Sequence, residues 1–319
     1  MAGLDDHFHI EPLADGVFAA IAAPGRFALC NAGIVDLGGT TLVFDAMLTP
    51  QAGGALGRAA ERLTGRSVGL LVNSHYHGDH VRGSSAVGAA HVLSTRRVRE
   101  LIVERGPIHL RADREEAPRD LARLRSGDLG QGPFERKVYE GWFEGILATP
   151  ADLPFLPPDL TFESELMLHG TRRTARVISF GGGHSPSDVL VYLPAERIAF
   201  LGDLLSVGFH PSMSDGDPVE LARILGETRR LGIERAVPGH GPVTGDAGVG
   251  EMSGYVQGLL EGARAALAGG IPRETLAGTP ARPPFDRWAF SPFYVENVRF
   301  VYDRLAAAGP ASRPPAPTS

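Results

Sequence analysis

Short apolar runs broken by glycine and proline open the chain. Residues 17–23, 29–37 and 40–45 are rich in apolar side chains and are separated by Pro24-Gly25 and Gly38-Gly39, punctuation that places turns between short strands. Over residues 51–63 the pattern changes: Leu56, Ala59, Ala60 and Leu63 fall on one helical face. Residues 68–72 form an apolar run of strand length that delivers the chain directly to Ser74-His75. A second unit repeats the style, with strands predicted at 161–168, 175–180, 189–193 and 198–201. A helix at 219–231 and a short strand at 235–237 follow, just before Pro238-Gly239-His240. Strand-rich halves that are each followed by helices predict an α/β fold of two packed sheets with helices outside.

Between the halves lies a segment of about residues 96–159. Its first part, 98–124, is charged and has helical spacing; its second holds Phe134, Tyr139, Trp142 and Phe143, then a proline-rich return over 150–158. A connection this long carries its own structure or a function, and we expect a cap inserted into a domain of residues 1–250. Helices predicted at 252–267 and 295–308 give a C-terminal helical extension over 251–308. The proline- and serine-rich residues 309–319 are expected to be disordered.

Composition narrows the function. Of the 319 residues 43% are hydrophobic and 21% charged, as in ordinary globular proteins, and the net charge is -6. An acidic balance disfavours nucleic acid as partner. The start of the chain lacks the basic and apolar regions of a secretory signal, and no apolar run reaches the roughly 18 residues of a membrane helix. A cytoplasmic enzyme acting on a small molecule, with a homodimer as one arrangement, is the expectation. Cys30 is the single cysteine, so no intrachain disulfide can form; it reads as a small buried hydrophobe.

The densest chemistry is His75-Tyr76-His77-Gly78-Asp79-His80. In an extended strand end His75 and His77 point the same way. Gly78 lets the backbone turn and aim Asp79 and His80 elsewhere. Imidazole with carboxylate suits zinc, and also iron or manganese. Three distant residues have similar settings: His184 after Gly181-Gly182-Gly183, Asp203 after Gly202, and His240 within Pro238-Gly239-His240-Gly241. Singly, each could be a turn residue or a cap.

Taken in order, these motifs resemble the set of the metallo-β-lactamase superfamily, over roughly residues 17–243. The resemblance implies a four-layer αββα sandwich, here with a helical insertion and C-terminal helices, and a binuclear site at one edge of the sheets. It further implies that His75, His77 and His184 hold one divalent ion, Asp79, His80 and His240 a second, and that Asp203 bridges them. Zinc is the expected metal, with iron or manganese as alternatives. Such a pair shares a hydroxide that attacks the substrate, and Asp79 would orient it by accepting a hydrogen bond.

The bridging Asp203 resembles that of glyoxalase II and lactonase-like branches more than that of true β-lactamases, which implies hydrolysis of an ester, thioester or lactone. The alternatives are a phosphodiesterase, a β-lactamase, or a persulfide dioxygenase with one iron. Around the cluster, Asp188 is a candidate to hold a ligand histidine by its second ring nitrogen. His210 is a candidate to line the pocket, or else a surface-loop histidine. Trp142 and Phe143 are candidates for an apolar wall.

Overall fold

The computed structural model describes residues 6–130 and 132–308. Its chain builds a seven-stranded and a five-stranded sheet. The first sheet runs in sequence order: β1 (Phe8–Ala14), β2 (Val17–Ala22), β3 (Ala32–Asp36), β4 (Thr41–Phe44), β5 (Val68–Val72), β6 (His91–Thr95) and β7 (Leu160–Phe162). The first three pairings are antiparallel and the last three parallel. The second sheet has β8 (Glu165–His169), β9 (Thr174–Gly181), β10 (Asp188–Leu193), β11 (Ile198–Ser206) and β12 (Arg235–His240), antiparallel except for the β11–β12 pair.

Three apolar layers hold the sandwich. Between the sheets, Val35, Leu42 and Phe44 meet Val177, Val191, Phe200 and Val237. Strands buried on both faces read as continuous apolar runs, and β10 and β11 are buried along their whole length. Outside the first sheet lies α1 (Pro50–Thr64), which packs Leu56, Ala59 and Ala60 on Ile34, Val43 and Leu71. The Thr49 hydroxyl caps it by accepting from the Ala52 amide at 3.2 Å, and Gly65 ends it in the left-handed conformation.

After β5 come two single turns, α2 (Gly78–Val81) and α3 (Ser84–Val87), and then the insertion: α4 (Arg96–Ser126) and α5 (Pro133–Ala148). Outside the second sheet lie α6 (Pro218–Arg230) and α7 (Asp246–Ala268), which cover Leu190 and Leu201 with Leu221, Leu225, Met252 and Val256. Last, α8 (Ser291–Ala308) buries Val301 in the same layer. The architecture is the αββα sandwich.

The strand edges differ from the sequence reading in instructive ways. The strand expected over 161–168 is two strands in different sheets: β7 pairs with β6, and β8 pairs with β9. Strands β1 and β6 had not been expected; exposed His9 and Pro12, with polar Glu11 between them, break the apolar signal of the first. The expected strand at 29–37 starts only at Ala32, because Leu29 sits at φ 63. Helix α7 begins at Asp246 and forms part of the outer layer of the sandwich itself. The tail, 309–319, lies outside the described residues.

Candidate metal centre

Strand ends at one edge of the sandwich deliver the candidate ligands there. A bend after β5 carries His75, and His77 is extended before α2, which carries Asp79 and His80 in its single turn. His184 sits in the turn between β9 and β10. Asp188 shapes that turn: its carboxylate accepts the amides of Gly183 at 2.7 Å, His184 at 2.9 Å and Ser185 at 3.1 Å, and the Ser185 hydroxyl at 2.7 Å. The expectation that Asp188 holds a ring nitrogen is therefore corrected. It holds the backbone of His184, because the carboxylate is filled by the amides of the turn.

Asp203 lies within β11, where the register with β12 shifts on both sides of Gly202, a bulge that re-aims the next side chain. Gly239 is required at its position: a β-carbon there would sit 1.9 Å from Asp203 Oδ1. So the Pro238-Gly239-His240 turn leaves room for one carboxylate and presents one imidazole.

These seven residues converge into two groups: His75, His77, His184 and Asp203, and beside them Asp79, His80 and His240. In the first, His77 Nδ1 lies 3.0 Å from His75 Nε2 and 3.1 Å from His184 Nε2. A metal–nitrogen bond of 2.0–2.1 Å sets the edge of a tetrahedron at about 3.3 Å, so these nitrogens stand close to the spacing of shared ligation. In the second, Asp79 Oδ2 lies 3.3 Å from His240 Nε2 and 3.5 Å from His80 Nε2. Asp203 faces both groups: Oδ2 is 3.4 Å from His184 Nε2, while Oδ1 is 3.2 Å from His80 Nε2 and 3.4 Å from His240 Nε2.

The electrostatics of the cluster fit a cation. Burial opposes the charges of Asp79 and Asp203, yet the histidines around them hold both carboxyls below the usual range. Burial likewise opposes a charge on His240, but Asp203 and Asp79 push it up to about 10. By contrast, burial drives His184 down to about 4, which leaves its ring neutral as a ligand must be. His80 Nε2 and Asp203 Oδ1 are buried without a hydrogen-bond partner. Such orphaned atoms are costly unless something else satisfies them, and a bound divalent ion would do so.

Two supporting carboxylates escaped the sequence reading. Asp45, at φ 61 just past β4, is fully buried. It accepts from the Ser74 amide at 2.7 Å and the Ser74 hydroxyl at 2.8 Å, and contacts His80 Nδ1 at 2.8 Å. Its signal was available: an aspartate directly after an apolar strand, the same setting as Asp203. Asp215 accepts the Tyr76 hydroxyl at 2.6 Å and Arg105 at 3.2 Å, and stands 3.7 Å from His77 Nε2. No spacing in the sequence points to it, since Arg105 comes from α4 and Tyr76 from the histidine cluster.

A cavity of about 980 Å³ opens onto this edge, and His77, Asp79, His184, Asp203 and His240 form part of its lining. Trp142 lines it as expected, together with Phe134 and Tyr139 of α5. Phe143 does not, a second correction. It stacks behind the lining rings, on Tyr139 at 5.8 Å and Trp142 at 5.6 Å, in the buried contact with α4. His210 lines the cavity but is no surface residue: it is buried, with Nδ1 3.1 Å from the Tyr255 hydroxyl.

The sequence pattern of the Metallo-beta-lactamase superfamily matches residues 25–240, more than half of the chain and all seven clustered residues. The chain belongs to this superfamily. Among solved structures of the same fold, a metallo-beta-lactamase from Hirschia baltica is 14% identical. It covers 78% of this chain and 97% of its own, with a TM-score of 0.56. A metallo-beta-lactamase of Pseudomonas aeruginosa in a mono-zinc form is 14% identical at TM-score 0.56, over 80% of this chain and 97% of its own. A stereoselective inverting sec-alkylsulfatase from Pseudomonas sp. is 15% identical at TM-score 0.67. It covers 93% of this chain, which spans 50% of the sulfatase's length. No curated protein sequence matches the chain. Membership of the metallo-β-lactamase superfamily establishes the fold and a hydrolase-type, metal-binding site. No helix among the described residues is long and apolar enough to cross a membrane.

Proposed function

We propose that this chain is a binuclear metallo-hydrolase that cleaves a carboxylic ester, thioester or lactone. The observation that carries the reading is the placement of Asp203, whose two oxygens face separate donor groups. His75, His77 and His184 would hold one ion, and Asp79, His80 and His240 the other. Their imidazole and carboxylate donors favour zinc, with iron or manganese as the alternatives for analysis. When bound, such ions supply Lewis acidity that ionises water near neutral pH and polarises an oxygen under attack.

The protein's own groups do the rest. Asp79 stays ionised and is partly open to the cavity, so it can accept a hydrogen bond from the attacking water and fix its direction. Tyr76, Arg105 and Asp215 brace His77, and Asp45 braces His80.

The net charge of -6 counts against a phosphodiesterase acting on nucleic acid. The complete second donor group counts against a mononuclear oxygenase. Cleavage of a secondary alkyl sulfate has one specific observation behind it: the likeness to the alkylsulfatase runs over 93% of this chain, beyond the 78–80% shared with the β-lactamases above.

The test is a panel of nitrophenyl esters, thioesters, lactones, bis-nitrophenyl phosphate, a chromogenic β-lactam and a secondary alkyl sulfate, with metal-loaded protein. Turnover of the carbonyl substrates is expected, with a loss of at least about a hundredfold in Asp79→Asn. Exclusive turnover of the sulfate or the phosphate would replace the proposed substrate class, and unchanged turnover in the variant would remove Asp79 from the chemistry.

A further inference from the structure

We infer that the substrate is uncharged away from its reacting group and carries a bulky apolar chain or ring that seats under an aromatic roof. This rests on the hydrolase reading for its reacting end, and goes beyond it by naming what the rest of the molecule is. The roof is assembled from two stretches remote in sequence. Helix α5 contributes Phe134 and Trp142, and the chain just before and within α8 contributes Phe290 and Phe293, all at the cavity.

The two stretches are stitched together. The buried Glu135 carboxylate accepts the Phe290 amide at 2.7 Å. Ala289 exchanges backbone hydrogen bonds with the 208–210 segment, donating to the Gly208 carbonyl at 2.9 Å and accepting the His210 amide at 3.0 Å. Phe209 then stacks on Phe134 at 5.5 Å and meets Phe290 edge-on at 5.6 Å. A roof held this way is pre-formed, so it binds an apolar group without first being ordered. Phe134 is 41% exposed at the cavity, so part of its ring is open to an apolar occupant.

The charges of the lining say what the occupant lacks. Outside the two donor groups, every arginine, aspartate and glutamate among the described lining residues already has an opposite partner. Arg105 is paired with Asp215 at 3.2 Å, and Arg82 with Asp113. Nearer the mouth, Glu11 is paired with Arg235 at 2.8 Å and Arg26 with Asp6 at 3.4 Å. Burial pushes His109 below its ordinary range and His210 down to about 4, so both rings are neutral at pH 7. A charged tail would have to desolvate against apolar walls or break one of these pairs, and either is costly. A neutral apolar tail meets neither penalty. The cavity, at about 980 Å³, has room for such a tail as well as the reacting group.

The test compares kcat/KM of metal-loaded protein for nitrophenyl acetate, nitrophenyl octanoate, and octanoate analogues ending in a sulfonate or a trimethylammonium group. Binding of the matching non-hydrolysable amides is measured by calorimetry. Octanoate is expected to exceed acetate and both charged analogues by at least about tenfold, and Phe134→Ala to lower the octanoate-to-acetate ratio at least about fivefold. Phe134 is only partly buried and lies outside the core layers between and outside the sheets, so that variant leaves those layers intact; Phe293→Ala is the second variant. Ester cleavage without preference for length or neutrality overturns the inference and leaves the hydrolase standing. If no ester is cleaved, the hydrolase reading fails, and the amides decide alone. Octanamide binding at least about tenfold tighter than its charged analogues, and weakened by Phe134→Ala, sustains the inference; equal or absent binding overturns it.

Discussion

Asp45 shows how much a single side chain without a motif can determine. Its carboxylate takes the proton-bearing Nδ1 side of His80, which leaves Nε2 free to face Asp79 and Asp203. The Ser74 amide and hydroxyl hold that carboxylate in place, and the same hydroxyl lies 2.9 Å from His75 Nδ1, so one residue braces both donor groups. Asn tolerates the left-handed backbone at this position, which makes Asp45→Asn a clean removal of charge. Its affinity for the ions is expected to fall about 10- to 100-fold, as for other carboxylates behind a ligand histidine; competition with a chelator of known affinity measures it. Retained affinity would mean that His80 orientation does not depend on Asp45.

His210 makes a prediction about pH. Burial holds its ring near 4, against about 6.5 in an unfolded chain. Between these values the unfolded state binds a proton that the native state refuses, so stability is full above about 6.5 and is lost as pH falls toward 4. From pH 7.5 to 5.0 the loss from this group is about 2 kcal/mol. His210→Asn keeps a polar atom near the Tyr255 hydroxyl but cannot titrate. Urea unfolding of both proteins at the two pH values should show the smaller drop in the variant, and equal drops would place the effect elsewhere.

At the scale of elements, α5 separates two tasks on its two faces. Trp142 looks into the cavity, whereas Phe143, its neighbour, is buried against Tyr139 and the α4 contact. A helix rotates successive side chains by about 100°, and this step takes Phe143 out of the cavity lining and into the buried contact. Phe143→Ala is expected to cost about 3–5 kcal/mol of stability with the order of substrates unchanged. Trp142→Ala is expected to raise KM for the preferred substrate or reorder acyl chain sizes with little loss of stability. If both variants change only stability, the insertion is structural. Residues 68–72 and the His75–His80 cluster were legible because a continuous apolar run ending in ligand chemistry has few alternatives. The split of residues 161–168 into β7 and β8 was not, because an apolar run records burial without recording which sheet supplies it. Asp215 was not legible either, since its partners meet only through the packing of α4 on the histidine loop.

The whole molecule ties the site to its stability. His75, His77, Asp79 and His80 follow the fifth strand of the first sheet, while His184, Asp203 and His240 belong to the second sheet and its turns. Each proposed ion would therefore clamp the two sheets at one edge. Anything that binds only the folded state stabilises it by mass action, about 4 kcal/mol for each site when the free ion exceeds its dissociation constant a thousandfold. For domains of 150–250 residues each kcal/mol corresponds to about 2–4 °C, so full chelation is expected to lower the Tm by roughly 10 °C or more. Elemental analysis of protein purified without chelator should give zinc, iron or manganese summing to about two ions per chain, and readdition should restore the Tm in step with metal content. A stoichiometry that stays at one after reconstitution, with the Tm fully restored, would show that Asp203 serves a single ion and would return the mononuclear oxygenase reading to the front.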